Sequence, residues 1–245
     1  MPATWNGILS TSRSELLSLD GLAWPIELRC HPRAKSLRLR LDEARERLVL
    51  TKPRRVSRRA ALQWAQGQAR WVEAQLHRVR PGEPFRPGET IPFEGREIRL
   101  HWDYRLPRLP TLADNSLQCG GPADSFAGRV ERFLRSAARV RLSEVTTDMA
   151  RKAGVTVSAV SVGDASSRWG SCSASGAIRY NWRILLAPPH LLRWLVAHEV
   201  AHRRHMNHGP QFRALEAELY GGNVAAARAE LKRLGPRLKR VGLRL

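Results

Sequence analysis

Two histidines four residues apart, with a glutamate directly after the first, are the part of this 245-residue chain best suited to chemistry: His198, Glu199 and His202. On a helix, residues four apart share a face and are separated by a rise of about 6 Å. Two imidazoles so placed can close on one zinc ion at about 2.0 to 2.1 Å each. A carboxylate beside the first of them can take a proton from a water on that ion. The spacing therefore predicts metal-assisted hydrolysis, with one Zn2+ per chain, His198 and His202 as ligands and Glu199 as general base.

A catalytic zinc needs three protein ligands and one open position. His205 lies on the same helical face, but it is seven residues from His198, a rise of about 10 Å, so both reaching one ion would be strained. Glu216 or Glu218 on the next helix would serve if the set were two histidines and a glutamate. His208, just before the helix-breaking Gly209, could return beside the metal through a turn. His208 is favoured.

Several elements must position these residues. Pro188-Pro189 opens the helix, which is expected to run to about Met206 and carries Leu192, Leu195, Val196, Val200 and Ala201 around the motif. Two further helices follow, separated by Gly209 and Gly221-Gly222. Before it, strands are expected over 155–162, 166–172 and 177–184, preceded by a long helix from 124 or 125 to Ala153. That helix presents Val130, Phe133, Leu134, Ala137, Val140 and Leu142 and ends at Gly154. Nearer the start, 24–30, 36–41 and 47–51 read as strands, 57–79 as one helix, and 90–93, 97–102 and 116–119 as further strands. The fold class is α+β. It comprises an N-terminal region of mixed strand and helix, 1–110, and a C-terminal domain, 120–245, whose histidine-bearing helix packs on a small sheet. A boundary is expected in the loop 104–123.

Ser166-Ser-Arg-Trp-Gly-Ser-Cys172 is the second local signal. A Trp-Gly pair in a strand suggests backbone closely approached by something else, a helix or a ligand. Trp169 and Gly170 could belong to an edge strand that receives an extended substrate. Equally, Trp169 could pack inward with Cys172 as a small buried hydrophobe. Tyr180 is a further candidate for substrate binding, and Tyr180 or Arg168 could stabilise an oxyanion.

Net charge is +20, concentrated from Arg29 through Arg59 and in the tail from Lys232 to Arg244. Nucleic acid is the first partner such a balance suggests. The excess is mostly Arg in an Ala- and Leu-rich chain, which a coding bias would also produce. Aromatics, at 7%, do not alternate with the basic residues as in a base-stacking platform. Three distant cysteines, Cys30, Cys119 and Cys172, exclude a disulfide framework and a zinc ribbon. No apolar run is long enough for a membrane span, and residues 1–21 lack a basic start followed by an apolar block. A cytoplasmic protein without a membrane partner is expected.

The motifs Ser-Arg-Trp-Gly-Ser-Cys172, Tyr180-Asn-Trp-Arg183, Ala187-Pro188, His198-Glu-Val-Ala-His202 and Asn207-His208-Gly-Pro-Gln-Phe212 resemble the YgjP-type predicted metal-dependent hydrolases. These are zincin metallopeptidases similar to WLM and SprT-like domains. The resemblance covers most of the chain and is most specific in the C-terminal half. It implies a zincin-like domain with His198, His202 and His208 on zinc, Glu199 as base, the Trp169-Gly170 strand beside the helix, and a peptide or protein as substrate. Two residues depart from related patterns. Arg213 stands where the family often has Trp, and His205 stands where metzincins have Gly between their ligands. No Met follows Met206 to make a Met-turn. The competing class is a non-catalytic, zinc-stabilised fold acting through its basic surface on nucleic acid or protein.

Overall fold

A computed structural model describes residues 15–42, 46–76 and 82–243. Residues 1–14, part of the stretch read for a leader, and Val79, at the end of the first expected helix, lie outside the described residues. The chain divides into two compact units, Met1–Arg80 and Pro81–Leu245.

The first unit holds β1 (Glu15–Leu17), β2 (Ile26–Cys30), β3 (Arg38–Asp42) and β4 (Arg47–Lys52), in the order β1-β2-β4-β3. β2 and β4 run parallel, while β1–β2 and β3–β4 are antiparallel. Ile26, Leu48 and Leu50 form its core with Ala61, Ala65 and Val72. The single helix expected over 57–79 is two, α1 (Arg58–Gln66) and α2 (Ala69–Leu76). They part at Gly67, a residue that costs a continuous helix about 1 kcal/mol relative to alanine. Ser57 caps α1, its hydroxyl accepting from the Ala60 N–H.

The second unit begins with β5 (Thr90–Phe93), β6 (Arg96–Trp102), β7 (Thr111–Ala113) and β8 (Ser116–Cys119), ordered β5-β6-β8-β7. The expected boundary at 104–123 is therefore displaced to 80/81. Ile91, Phe93, Ile98, Leu100 and Leu117 of these strands share one buried core with Phe126, Val130 and Leu134 of α3 (Phe126–Ala153). A boundary in 104–123 would strip those apolar faces of their partner. α3 buries Leu134, Ala138, Leu142, Val145 and Met149, and Gly154 ends it in the left-handed conformation, φ 62°. Val140, expected among its apolar positions, is exposed, because it lies about 200° around the helix from both Ala138 and Leu142.

The small sheet consists of β9 (Ala159–Gly163), β10 (Gly170–Cys172) and β11 (Ala177–Asn181), with β10 at one edge. β11 is shorter than expected because the Asn181 side chain accepts from the Arg183 N–H and turns 182–186 into a 3-10 turn. Trp182 and Arg183 are buried there. Arg183 donates from Nε to the Val241 carbonyl at 2.8 Å, pairs with Asp164, and lies 4.4 Å from the Trp182 ring centroid. α4 (Pro189–Ala201), α5 (Pro210–Tyr220) and α6 (Val224–Leu238) complete the unit. α4 is apolar on nearly every side and lies among α3, α5, α6 and β10.

Trp182 fills the centre of this core and carries two cation–π partners, Arg135 and Arg183. Trp182→Ala should lower stability by about 3 to 5 kcal/mol. Chemical denaturation of the variant against the parent measures it.

Candidate metal centre

α4 stops sooner than its apolar pattern suggests. It ends at Ala201, and the next residues tighten: the Arg203 N–H donates to the Val200 carbonyl and the Arg204 and His205 N–H groups to that of Ala201. His205 therefore does not extend the helical face of His198 and His202. The chain turns through 205–209, and Pro210 starts α5 with its fixed φ. That turn returns His208 to the pair.

One nitrogen from each of His198, His202 and His208 lies within 4.8 Å of the others. The Nε2 atoms of His198 and His208 are 3.3 Å apart. Two nitrogens bound at about 2.05 Å to one tetrahedral ion stand about 3.3 Å apart, so these side chains fit a small cation. The Nδ1 atoms of His198 and His202 are engaged away from the cluster. His198 Nδ1 bonds Glu216 Oε1 at 2.9 Å, and His202 Nδ1 bonds the His205 carbonyl at 3.2 Å. Protons held on those Nδ1 atoms leave Nε2 with its lone pair toward the centre.

Glu216 and His205 thus take up supporting places. Glu216 is buried, and Oε1 also accepts from Trp194 Nε1 at 3.0 Å, while Arg228 lies 3.6 Å from Oε2. Burial raises its carboxyl pKa, but the bond from His198 and the charges of His198 and Arg228 outweigh burial and hold it below the ordinary value. Trp194, one turn before His198, shares its helical face, a spacing visible in the sequence. Nothing in the sequence marks Glu216 as a brace. Glu218, the other acid considered, is exposed. Buried Phe212 floors the cluster, its ring centroid 5.1, 4.6 and 4.6 Å from those of His198, His202 and His208. Arg213 beside it is exposed. Burial, then the charge of His198, lower the pKa of His202, favouring the neutral ring a metal requires.

Gly170 explains the Trp-Gly pair. A Cβ at this position would run into the Glu199 carboxylate, 2.7 Å from Cδ and 2.8 Å from Cγ. The close neighbour is the acid of the motif, laid flat on the β10 backbone. Trp169 points the other way, with its ring against Gly235 of α6 and Lys239 Nζ 5.0 Å from its centroid. Tyr180 lies in the core, 1% exposed, its hydroxyl bonded to Thr146 Oγ1 at 3.0 Å, so it does not face a substrate. Cys172 is half-buried and packs at the margin of the core.

The chain matches the model of the YgjP-like metallopeptidase domain over residues 35–234. It belongs to that family. The family is one of metal-dependent hydrolases, and the histidine cluster lies inside the matched span. No curated protein and no solved structure matches the chain. Among the described residues no helix is long and apolar enough to cross a membrane.

Glu199 is 4% exposed, and burial pushes its carboxyl up to about 7 against the opposing charges of His198 and Arg168. In the metal-free protein the folded state therefore binds a proton that the unfolded chain releases near 4.5. Stability must fall as pH rises through that window, by on the order of 3 kcal/mol. Metal-free Glu199→Gln should be more stable than the metal-free parent at pH 8, with the advantage shrinking toward pH 5. Melting both proteins in chelator across pH tests this.

Proposed function

We propose that the protein is a zinc peptidase in which His198, His202 and His208 hold one zinc ion and Glu199 is the catalytic base. The observation carrying this reading is the 3.3 Å approach of the His198 and His208 Nε2 atoms, with His202 completing the set while its Nδ1 and that of His198 are bonded outward. Glu216 sits behind the His198 ring, which argues against it as a fourth ligand and for an open position.

A zinc ion bound there would act as a Lewis acid, polarising a carbonyl and acidifying a water. Glu199 would take the proton of the attacking water as hydroxide adds to the carbonyl carbon. It would then deliver that proton to the amine nitrogen as the C–N bond breaks. Its burial suits both halves of this work, because a carboxyl held near neutrality can accept and return a proton. Arg168, exposed and within electrostatic reach of Glu199, is the cation available to balance negative charge on the carbonyl oxygen.

β10 supports an extended substrate. The Asn181 N–H donates to the Trp169 carbonyl and the Ser173 N–H to that of Ala177, so alternate residues of this strand turn their peptide groups toward β11. The peptide groups of Gly170 and Cys172 consequently face the open edge, where a peptide could add as another strand. The Trp169 ring is taken up by Gly235 and Lys239, and the Tyr180 side chain by Thr146 in the core.

Three variants test the reading on purified protein assayed for zinc content and for hydrolysis of an unstructured protein such as casein. The parent should carry about one zinc, and His208→Ala should lose it; zinc kept by His208→Ala would remove that residue from the set. Glu199→Gln should keep zinc and lose hydrolysis by 100-fold or more. Gly170→Ala should also keep zinc but displace the carboxylate, lowering turnover about 100-fold. Full hydrolysis by Glu199→Gln would end its role as base.

A further inference from the structure

One end of the sheet in the first unit gathers exposed cations. β2 and β4 run parallel and β3 antiparallel to β4, so the last residues of β2 and β4 and the first of β3 lie side by side. α1 starts after a five-residue loop from β4, which brings its N-terminus to the same end. Arg55 Nη2 donates to the Lys35 carbonyl at 3.0 Å, tying this loop to the one between β2 and β3. Lys52 Nζ donates to the Val56 carbonyl at 2.8 Å and fixes the loop from within.

Lys35, Arg38, Arg54, Arg55, Arg58 and Arg59 are all exposed on this framework. The sequence has no Asp or Glu from 28 to 41 or from 47 to 72. Among the described residues, Lys35, Arg38, Arg54, Arg55 and Arg59 have no acidic partner. The unit's buried acids, Glu27 and Asp42, lie toward the opposite end of the sheet and are met by Arg29 and Arg47. A general excess of arginine would not sort charge by strand end. The sorting leaves like charges crowded on pinned loops, an arrangement that repels itself until an anion arrives.

Five of the six cations are arginines, whose planar forks suit phosphate oxygens. Among the described residues from 28 to 59 no large hydrophobic side chain is exposed, so the patch offers nothing to insert into a bilayer. It also lacks aromatics for stacking on unpaired bases. We propose that this end of the sheet docks on the phosphate backbone of a nucleic-acid duplex without reading its sequence. The inference is independent of the metal centre.

The test is anisotropy of labelled 20-base-pair DNA and RNA duplexes of arbitrary sequence, titrated with the full chain from 50 to 200 mM KCl. About four phosphate contacts would weaken binding roughly 100-fold over that range. Arg54→Glu/Arg55→Glu/Arg59→Glu should lose at least tenfold in affinity at 100 mM and show a shallower salt slope. The same three positions changed to Lys should keep most of both. The same number of reversals in the second unit, at exposed Arg132, Arg139 and Arg193, should have a smaller effect. Circular dichroism of each variant confirms that it is folded. Binding to either duplex that follows this pattern supports the proposal, and the preferred duplex identifies the source. Three outcomes overturn it: no salt-dependent duplex binding, a greater loss from the second-unit reversals, or binding only to phosphatidylserine vesicles.

Discussion

The early end of α4 at Ala201 is the constraint on which the site depends. A helix carried on to Met206 would swing His205 a further turn along the axis and leave His208 pointing away from the pair. Instead the tight turn after Ala201 frees the chain to double back, and Pro210 commits it to a new direction. The three imidazoles then converge over Phe212. Their orientation is held from behind, by Glu216 on His198 and by the His205 carbonyl on His202. Because Glu216 belongs to α5 and Trp194 to α4, one hydrogen-bond network ties ring orientation to the packing of two helices.

The same helix packing sets the electrostatics. Glu199 and Glu216 are both nearly inaccessible acids, yet burial has opposite net outcomes for them. Glu216 meets His198, Trp194 and Arg228 and stays ionised more readily than a free carboxyl. Glu199 lies against the bare backbone of Gly170, a neighbour that gives it little to offset lost hydration, and so holds its proton to about 7. Two acids in one site are pushed in opposite directions, the separation that the proposed roles of Glu216 as a brace and Glu199 as a proton carrier call for.

The fold supplies rigidity around this pair. α4 has almost no solvent-facing side, and the core beneath it is keyed by Trp182 and Arg183, whose guanidinium is spent on Val241 and Asp164. β5, β6 and β8 add their apolar faces to the same core through α3, which is why they belong to the second unit. Their sequence position, closer to the N-terminal strands, suggests the opposite. A strand pattern reports that a face is buried but not which element buries it.

By itself, the sequence determined what depends on local spacing. The helical pairing of His198 and His202, Glu199 beside them, the stop at Gly154 and the strands at 90–93 and 116–119 follow from periodicity and residue type, and the structure has those elements. The Trp-Gly pair even announced a close approach to the backbone. Only the tertiary structure decided what made that approach. It brought Glu199 onto Gly170, turned Trp169 onto α6, sank Tyr180 against Thr146, and brought His208 rather than His205 beside the pair. It also sorted the charges of the first unit by strand end, through a parallel pairing of β2 with β4 that no local pattern encodes. The physical reason is the same throughout: spacing along a chain fixes which side chains share a face, whereas the partner of that face comes from residues distant in sequence, brought there by the burial of apolar surface.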